Sequence, residues 1–106
     1  MVLLSFCIPT YNRCHLLCET LKSILSQNLS VEIIVSDNHS LDDTSVYMEE
    51  LCKNYSQIYY HRWSQPVECG ENLLKVVELA QGDYCWLMTD DDRLEPGAIE
   101  NGRAHV

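Results

Sequence analysis

The sequence predicts an α/β fold of three layers, a mainly parallel sheet with helices on both faces. Three observations predict it. Apolar runs of four to seven residues alternate along the chain with stretches whose apolar residues recur at helical spacing. The first run is nearly continuous in apolar residues, as in a strand covered on both faces. The segments joining the runs are helices, and helical crossovers between strands imply a parallel sheet.

Residues 2–8 (VLLSFCI), closed by Pro9, form the first strand. Asn12 is a good N-cap, and Leu17, Leu21, Ile24 and Leu25 mark one helical face over residues 13–27. Residues 32–36 (EIIVS) are the second strand. The loop DNHSLDDT after it is rich in side chains that bond their own backbone, and Asp42 or Asp43 starts the next helix. Met48, Leu51, Cys52 and Tyr55 give that helix its stripe. Residues 58–61 (IYYH) form a short third strand. From Asn72, the positions Leu73, Val76, Val77 and Ala80 mark a third helical face, with Gly82 as its C′ stop. Residues 84–88 (YCWLM) are the fourth strand, with Trp86 in the core. The tail after Pro96 is polar.

At 106 residues the chain is read as one domain, residues 1–106, without repeats or linkers. With 46% hydrophobic and 22% charged residues it falls outside the disordered, collagen-like and coiled-coil classes. No apolar stretch approaches the ~20 residues of a membrane span, and no basic region precedes the first one. Neither a transmembrane segment nor a signal peptide is expected. Seven Lys and Arg against sixteen Asp and Glu give a net charge of −9, which argues against nucleic acid and anionic lipid surfaces as partners. The six cysteines are expected to be reduced, with Cys7 and Cys85 buried as small hydrophobes. Cys14 and Cys18 lack the second ligand pair that a zinc site needs.

In such a sheet, ligands bind beyond the carboxyl ends of the strands. That rule selects residues 9–13, 37–44, 62–70 and 89–92, and the last carries Asp90, Asp91 and Asp92. Adjacent carboxylates repel by about a few kcal/mol per close pair at an effective dielectric near 20. A divalent cation would relieve them, and Mg²⁺ or Mn²⁺ suits a site of one or two carboxylates completed by water and phosphate. A solvated acidic turn capping the next helix is the plainer alternative; position at a strand end favours the metal. The dinucleotide-binding GxGxxG and the phosphate loop GxxxxGK[ST] are both missing after the first strand, where PTYNR stands. The aspartate run also breaks the spacing of a calcium-binding EF-hand loop.

Four motifs occur in one order: SFCIPTYNR (5–13), EIIVSDN with Ser40 and Thr44 (32–44), AQGDY (80–84) and LMTDDD with Pro96 (87–96). Together they resemble the family 2 glycosyltransferases, from residue 3 to about residue 100. The resemblance implies a GT-A fold, the nucleotide-diphospho-sugar transferase type, here as its truncated, donor-binding half. It also implies inverting transfer of a sugar from a nucleotide-diphospho-sugar donor with Mg²⁺ or Mn²⁺, in polysaccharide or glycoconjugate synthesis.

Residue by residue, Pro9, Thr10, Tyr11 and Arg13 match the turn against the donor base and ribose. Asp37 matches the acidic residue that bonds the base, with Asn38 and Ser40 shaping its loop, and Asn72 resembles a polar position at the start of the helix leading into the metal strand. Spacing to Pro96 favours Asp91 as the direct metal ligand, Asp90 toward the ribose and Asp92 as an auxiliary ligand. The general base and the surface for a sugar or lipid-linked acceptor are expected beyond Val106, so transfer by these residues alone is expected to be weak or absent. A cytoplasmic location, at the inner membrane face through partners, and self-association through an exposed sheet edge complete the expectations. The competing reading is a non-catalytic module that holds a nucleotide or metal. A nucleotidyltransferase would add a glycine-rich, lysine-containing phosphate loop near its start, and none occurs there.

Overall fold

The computed structural model describes residues 3–92 and Leu94. Seven elements alternate along them: β1 (Leu4–Thr10), α1 (Cys14–Leu25), β2 (Glu32–Asp37), α2 (Thr44–Asn54), β3 (Ile58–Arg62), α3 (Cys69–Leu79) and β4 (Tyr84–Leu87). The strands form one sheet in the order β3-β2-β1-β4, every pair parallel. The chain thus winds outward from β1 to β3 and then returns to the other side of β1. In sheets of this kind ligands bind beyond the strand ends at such a reversal, here between the segments leaving β1 and β4.

Strand alternation sorts the core into two layers. Phe6, Ile8, Ile33, Val35 and Ile58 meet Leu17, Leu21 and Ile24 of α1 and Met48 of α2 in the larger cluster. Cys7 and Ile34 meet Val76 of α3 on the opposite face, with Leu79 and Ala80 beside them. Trp86 packs against the larger cluster with its ring 5.3 Å from that of Phe6, as its place in an apolar strand predicts.

Several boundaries differ from those predicted. β1 does not stop at Pro9 but runs through it, in register with Ser36. The ladder explains why this is tolerated. Leu3 and Cys7 turn their carbonyls to the segment around β4, whereas Thr10 bonds toward β2. Pro9 therefore turns its missing N–H toward β4, which has already ended at Leu87. Asn12 is not the cap of α1: it takes φ 50°, Arg13 occupies the cap position, and the α1 N-terminus is bonded instead by Asp42, whose Oδ2 accepts from Cys14 N at 3.0 Å. Asn suits that left-handed conformation better than most residues. Of the two aspartates expected to start α2, Asp43 occupies the cap position, while Asp42, one residue earlier, accepts from Thr44 N at 3.0 Å.

α3 begins at Cys69, three residues ahead of Asn72, and ends at Leu79 with an extended Ala80. Gly82 is consequently not its C′ residue. A Cβ there would lie 2.4 Å from Ser5 Oγ and 2.8 Å from Leu3 O, so Gly82 is required for close approach to β1. β4 is an edge strand and not a doubly covered one: Cys85 is exposed, and Tyr84 and Leu87 are half-exposed, while Cys7 is fully buried as expected. Burial, followed by interaction with Cys85, pushes the Cys7 thiol up to about 12. The outer edge of β4 is the edge on which the expected self-association rests. Among the described residues no helix is long and apolar enough to cross a membrane. Val2, Pro96 and the polar tail lie outside the described residues.

Candidate functional site

The four loops selected by strand polarity lie together and bond to one another. From the loop after β1, Thr10 O accepts from Asn38 N at 2.9 Å, Asn12 N donates to Ser40 Oγ at 2.8 Å, and Asn12 Oδ1 accepts from Leu41 N at 2.7 Å. The loops after β2 and β3 are joined by a reciprocal pair: Asn38 Nδ2 donates to Val67 O and Val67 N donates to Asn38 Oδ1, both at 2.8 Å. Trp63 N donates to Asp37 O at 3.0 Å. Each connection satisfies polar groups that a loop would otherwise leave open at the sheet end.

Asp37 is the hub of this half. Its carboxylate is wholly buried, with Ser40 N at 2.9 Å and Ser40 Oγ at 2.6 Å on Oδ1, and Tyr60 OH at 2.6 Å on Oδ2. Arg62, in register with Asp37 on the neighbouring strand, brings its Nε to 3.9 Å from the same Oδ2. Burial and then the Asp37 charge push the Tyr60 phenol far above its ordinary range, so Tyr60 remains a donor. In this conformation Asp37 offers a ligand no surface of its own and holds the loop.

Asn72 is also internal. It accepts from Ser36 Oγ at 2.7 Å and Trp63 Nε1 at 2.9 Å, and donates to Ser36 O at 3.0 Å, all beneath α3. The structure does not bring it to the open edge. Thr10, Asn38 and Ser40 are likewise buried in the loop framework, and Pro9 is half-buried in β1.

The aspartate turn differs. Asp90 points inward, taking Thr10 Oγ1 at 3.0 Å on Oδ2 and Arg13 at 3.3 Å on Oδ1. Asp91 points outward, 50% exposed, with Thr89 Oγ1 at 2.6 Å from Oδ1 and Arg13 at 3.8 Å from Oδ2. Asp92 is exposed and accepts from Thr89 N at 3.0 Å. Tyr11, 49% exposed, stands on the same rim. Among the described residues no three His, Cys, Asp or Glu side chains converge on one point. The described residues thus supply hard oxygen donors at an open position, a donor set that fits Mg²⁺ or Mn²⁺ shared with a phosphate. A groove of about 380 Å³ opens at the opposite, amino edge, between Leu3, Glu32, Gln57 and Tyr59, away from all four loops.

Tyr60, Arg62, Trp63 and Thr20 are site residues that the motifs did not single out. Strand pairing would have revealed one of them, because Arg62 lies opposite Asp37. Thr20 gives no signal beyond being a hydroxyl on an otherwise apolar helix face.

Fold and site together define an open parallel α/β domain whose ligand edge lies at a reversal of winding and carries an outward-facing carboxylate. The chain belongs to glycosyl transferase family 2, whose family model matches residues 5–105. It is 46% identical over 102 residues to the abequosyltransferase RfbV of Salmonella typhimurium, covering 92% of this chain and 31% of that protein. Among solved structures it superposes with TM-score 0.83 and 22% identity on S. aureus TarS 1-349 in complex with UDP, covering 95% of this chain and 31% of that one. The mannosyltransferase PcManGT from Pyrobaculum calidifontis, in complex with GDP-Man and Mn²⁺, gives TM-score 0.78 at 20% identity, covering 97% and 31%. These neighbours share the GT-A fold expected from the sequence. The chain spans about a third of the length of the relatives it matches.

Proposed function

We propose that the crevice between the loops after β1 and β4 binds the diphosphate of a nucleotide-sugar donor through Mg²⁺ or Mn²⁺ held by Asp91, as the donor side of an inverting sugar transfer in polysaccharide or glycoconjugate synthesis. The observation that carries this reading is the divergence of two neighbouring carboxylates, Asp90 buried on Thr10 and Arg13 and Asp91 half-exposed at the crevice. The UDP complex of TarS and the GDP-Man and Mn²⁺ complex of PcManGT support the donor class and the metal.

A bound divalent ion would supply positive charge where the diphosphate leaves. The chain's own residues prepare that position. Arg13 adds a guanidinium within 4 Å of both Asp90 and Asp91, on the side from which a phosphate approaches. Asp90, buried, holds Arg13 and Thr10 in place on the side assigned to the ribose, and Asp92 lies beside Asp91 as a second carboxylate. Tyr11 offers its ring to the base at the rim. Asp37, Asn38, Ser40 and Asn72 shape the base side from beneath, through the bonds that fix the loops. The acceptor, a sugar or lipid-linked sugar, and the base that takes its proton are assigned to no described residue.

Calorimetric titration with UDP, GDP and their sugar conjugates, each with Mn²⁺ and with EDTA, tests the proposal. One nucleotide is expected to bind with Mn²⁺, and Asp91→Ala to weaken that binding at least tenfold, about 1.4 kcal/mol. Equal affinity in EDTA, or an Asp91→Ala variant that binds as wild type does, overturns it.

A further inference from the structure

Helix α1 turns a row of polar side chains toward the aspartate turn. Thr20 and Ser23, three residues apart, share one face of α1, and Gln27 follows in the turn just beyond its end at Leu25. Thr20 is fully buried, and its hydroxyl lies 2.9 Å from the carbonyl oxygen of Asp90 and 2.5 Å from that of Asp92. Ser23 Oγ donates to Thr20 O at 2.6 Å and accepts from Leu94 N at 2.9 Å. Gln27 Nε2 donates to Leu94 O and to Ser23 O, each at 3.0 Å.

The two carbonyls that meet Thr20 belong to the residues on either side of Asp91. Holding both neighbours restricts the backbone directions open to Asp91, and the side chain of Asp91 is the one in the turn that projects half into solvent beside Arg13. A buried hydroxyl also needs an acceptor for its one proton, and the turn offers two carbonyls between which that proton is shared. Each partner thus satisfies the other.

We propose that Thr20 is a positioning residue for Asp91: by holding the carbonyls of Asp90 and Asp92 it aims the Asp91 carboxylate at the position of a divalent cation, while Ser23 and Gln27 anchor the far end of the turn. The inference rests on the reading of Asp91 as the metal ligand. Its two halves, the aiming of the turn and the consequence for the metal, are separately measurable.

The first measurement needs no metal. In Thr20→Val, which keeps the shape and loses the donor, hydrogen exchange at the amides of Thr89 and Asp92 is expected to quicken about tenfold, with α1 amides unchanged. Thr20→Ser is expected to restore wild-type exchange. The second is titration with Mn²⁺ followed by the free-ion resonance signal. Thr20→Val is expected to weaken Mn²⁺ binding about tenfold, the usual scale for losing a group that orients a ligand, while UDP binding in EDTA stays as in wild type.

Wild-type Mn²⁺ affinity in Thr20→Val overturns the proposal, and so does an equal weakening of UDP in EDTA, which would mark a merely structural role. Unchanged exchange overturns the aiming itself. If Thr20→Val does not fold, Ser23→Ala is the second variant: faster exchange at Leu94 together with weaker Mn²⁺ supports the proposal, and faster exchange with wild-type Mn²⁺ affinity overturns it. Asp91→Ala with undiminished Mn²⁺ binding instead sinks the metal reading, whatever Thr20→Val does to exchange.

Discussion

Two acidic loops leave the strands on either side of β1, at the same end of the sheet, and behave in opposite ways. After β2, Asp37 is fully buried and meets Ser40, Tyr60 and Arg62 on its two oxygens. After β4, three aspartates follow one another, and Arg13 is the cation close to two of them. One carboxylate is buried among several donors; the other loop sets three carboxylates in a row, and among the described residues Arg13 lies within 4 Å of two of them. The contrast teaches how an acidic residue at a strand end is sorted between scaffold and site. A carboxylate whose neighbours already supply its hydrogen bonds has little to offer a ligand, whereas an open one at a point of negative charge attracts a cation.

Substituting each side in turn tests this contrast most directly. Asp37→Ala is expected to cost at least about 3 kcal/mol, because it strands Arg62 and Tyr60 beside an emptied buried position. Asp91→Ala is expected to change stability by no more than about 0.5 kcal/mol, as for ordinary surface positions. Urea denaturation of the two variants measures both, and equal costs would erase the distinction. A finer cut removes one donor. Tyr60→Phe keeps the ring and deletes the hydroxyl on Asp37, with an expected loss of about 1.5–3 kcal/mol, the range for hydrogen bonds to charged groups. A loss near zero would mean that Asp37 does not depend on its hub. A further small effect belongs to the open side. Arg13 is more than half exposed, so Arg13→Gln is expected to cost at most about 1 kcal/mol, shrinking as salt is raised. A large, salt-independent loss would show that Arg13 is scaffold like Arg62.

The fold was largely legible because it depends on local pattern. Each strand appears as an apolar run, each helix as a stripe, and the alternation of the two admits few topologies. The misreadings share one cause. Asn12 has the chemistry of a helix cap, but its bond goes to Leu41 in the next loop; Gly82 stands where a helix could stop, yet is small because Ser5 and Leu3 crowd it. In both cases a residue chosen for a partner distant in sequence resembles one chosen for its immediate neighbours. β4 misleads in the same way. Its residues are apolar enough for a strand covered on both faces, and only the sheet order places it at an edge.

By itself the sequence determined the class of fold, the polar loops that gather at one end of the sheet, and the four motifs by which the family resemblance was read. These follow from periodicity, strand polarity and residue order, all of which are written along the chain. The tertiary structure alone decided which of those polar residues are buried in the framework and which stay exposed at that edge. It buries Asp37, Asn72 and Asp90, opens Tyr11, Arg13 and Asp91, and places Thr20 behind the aspartate turn. Exposure and hydrogen-bond saturation arise from residues tens of positions apart, Thr20 with Asp92 and Asp37 with Tyr60, and no local pattern records such pairings.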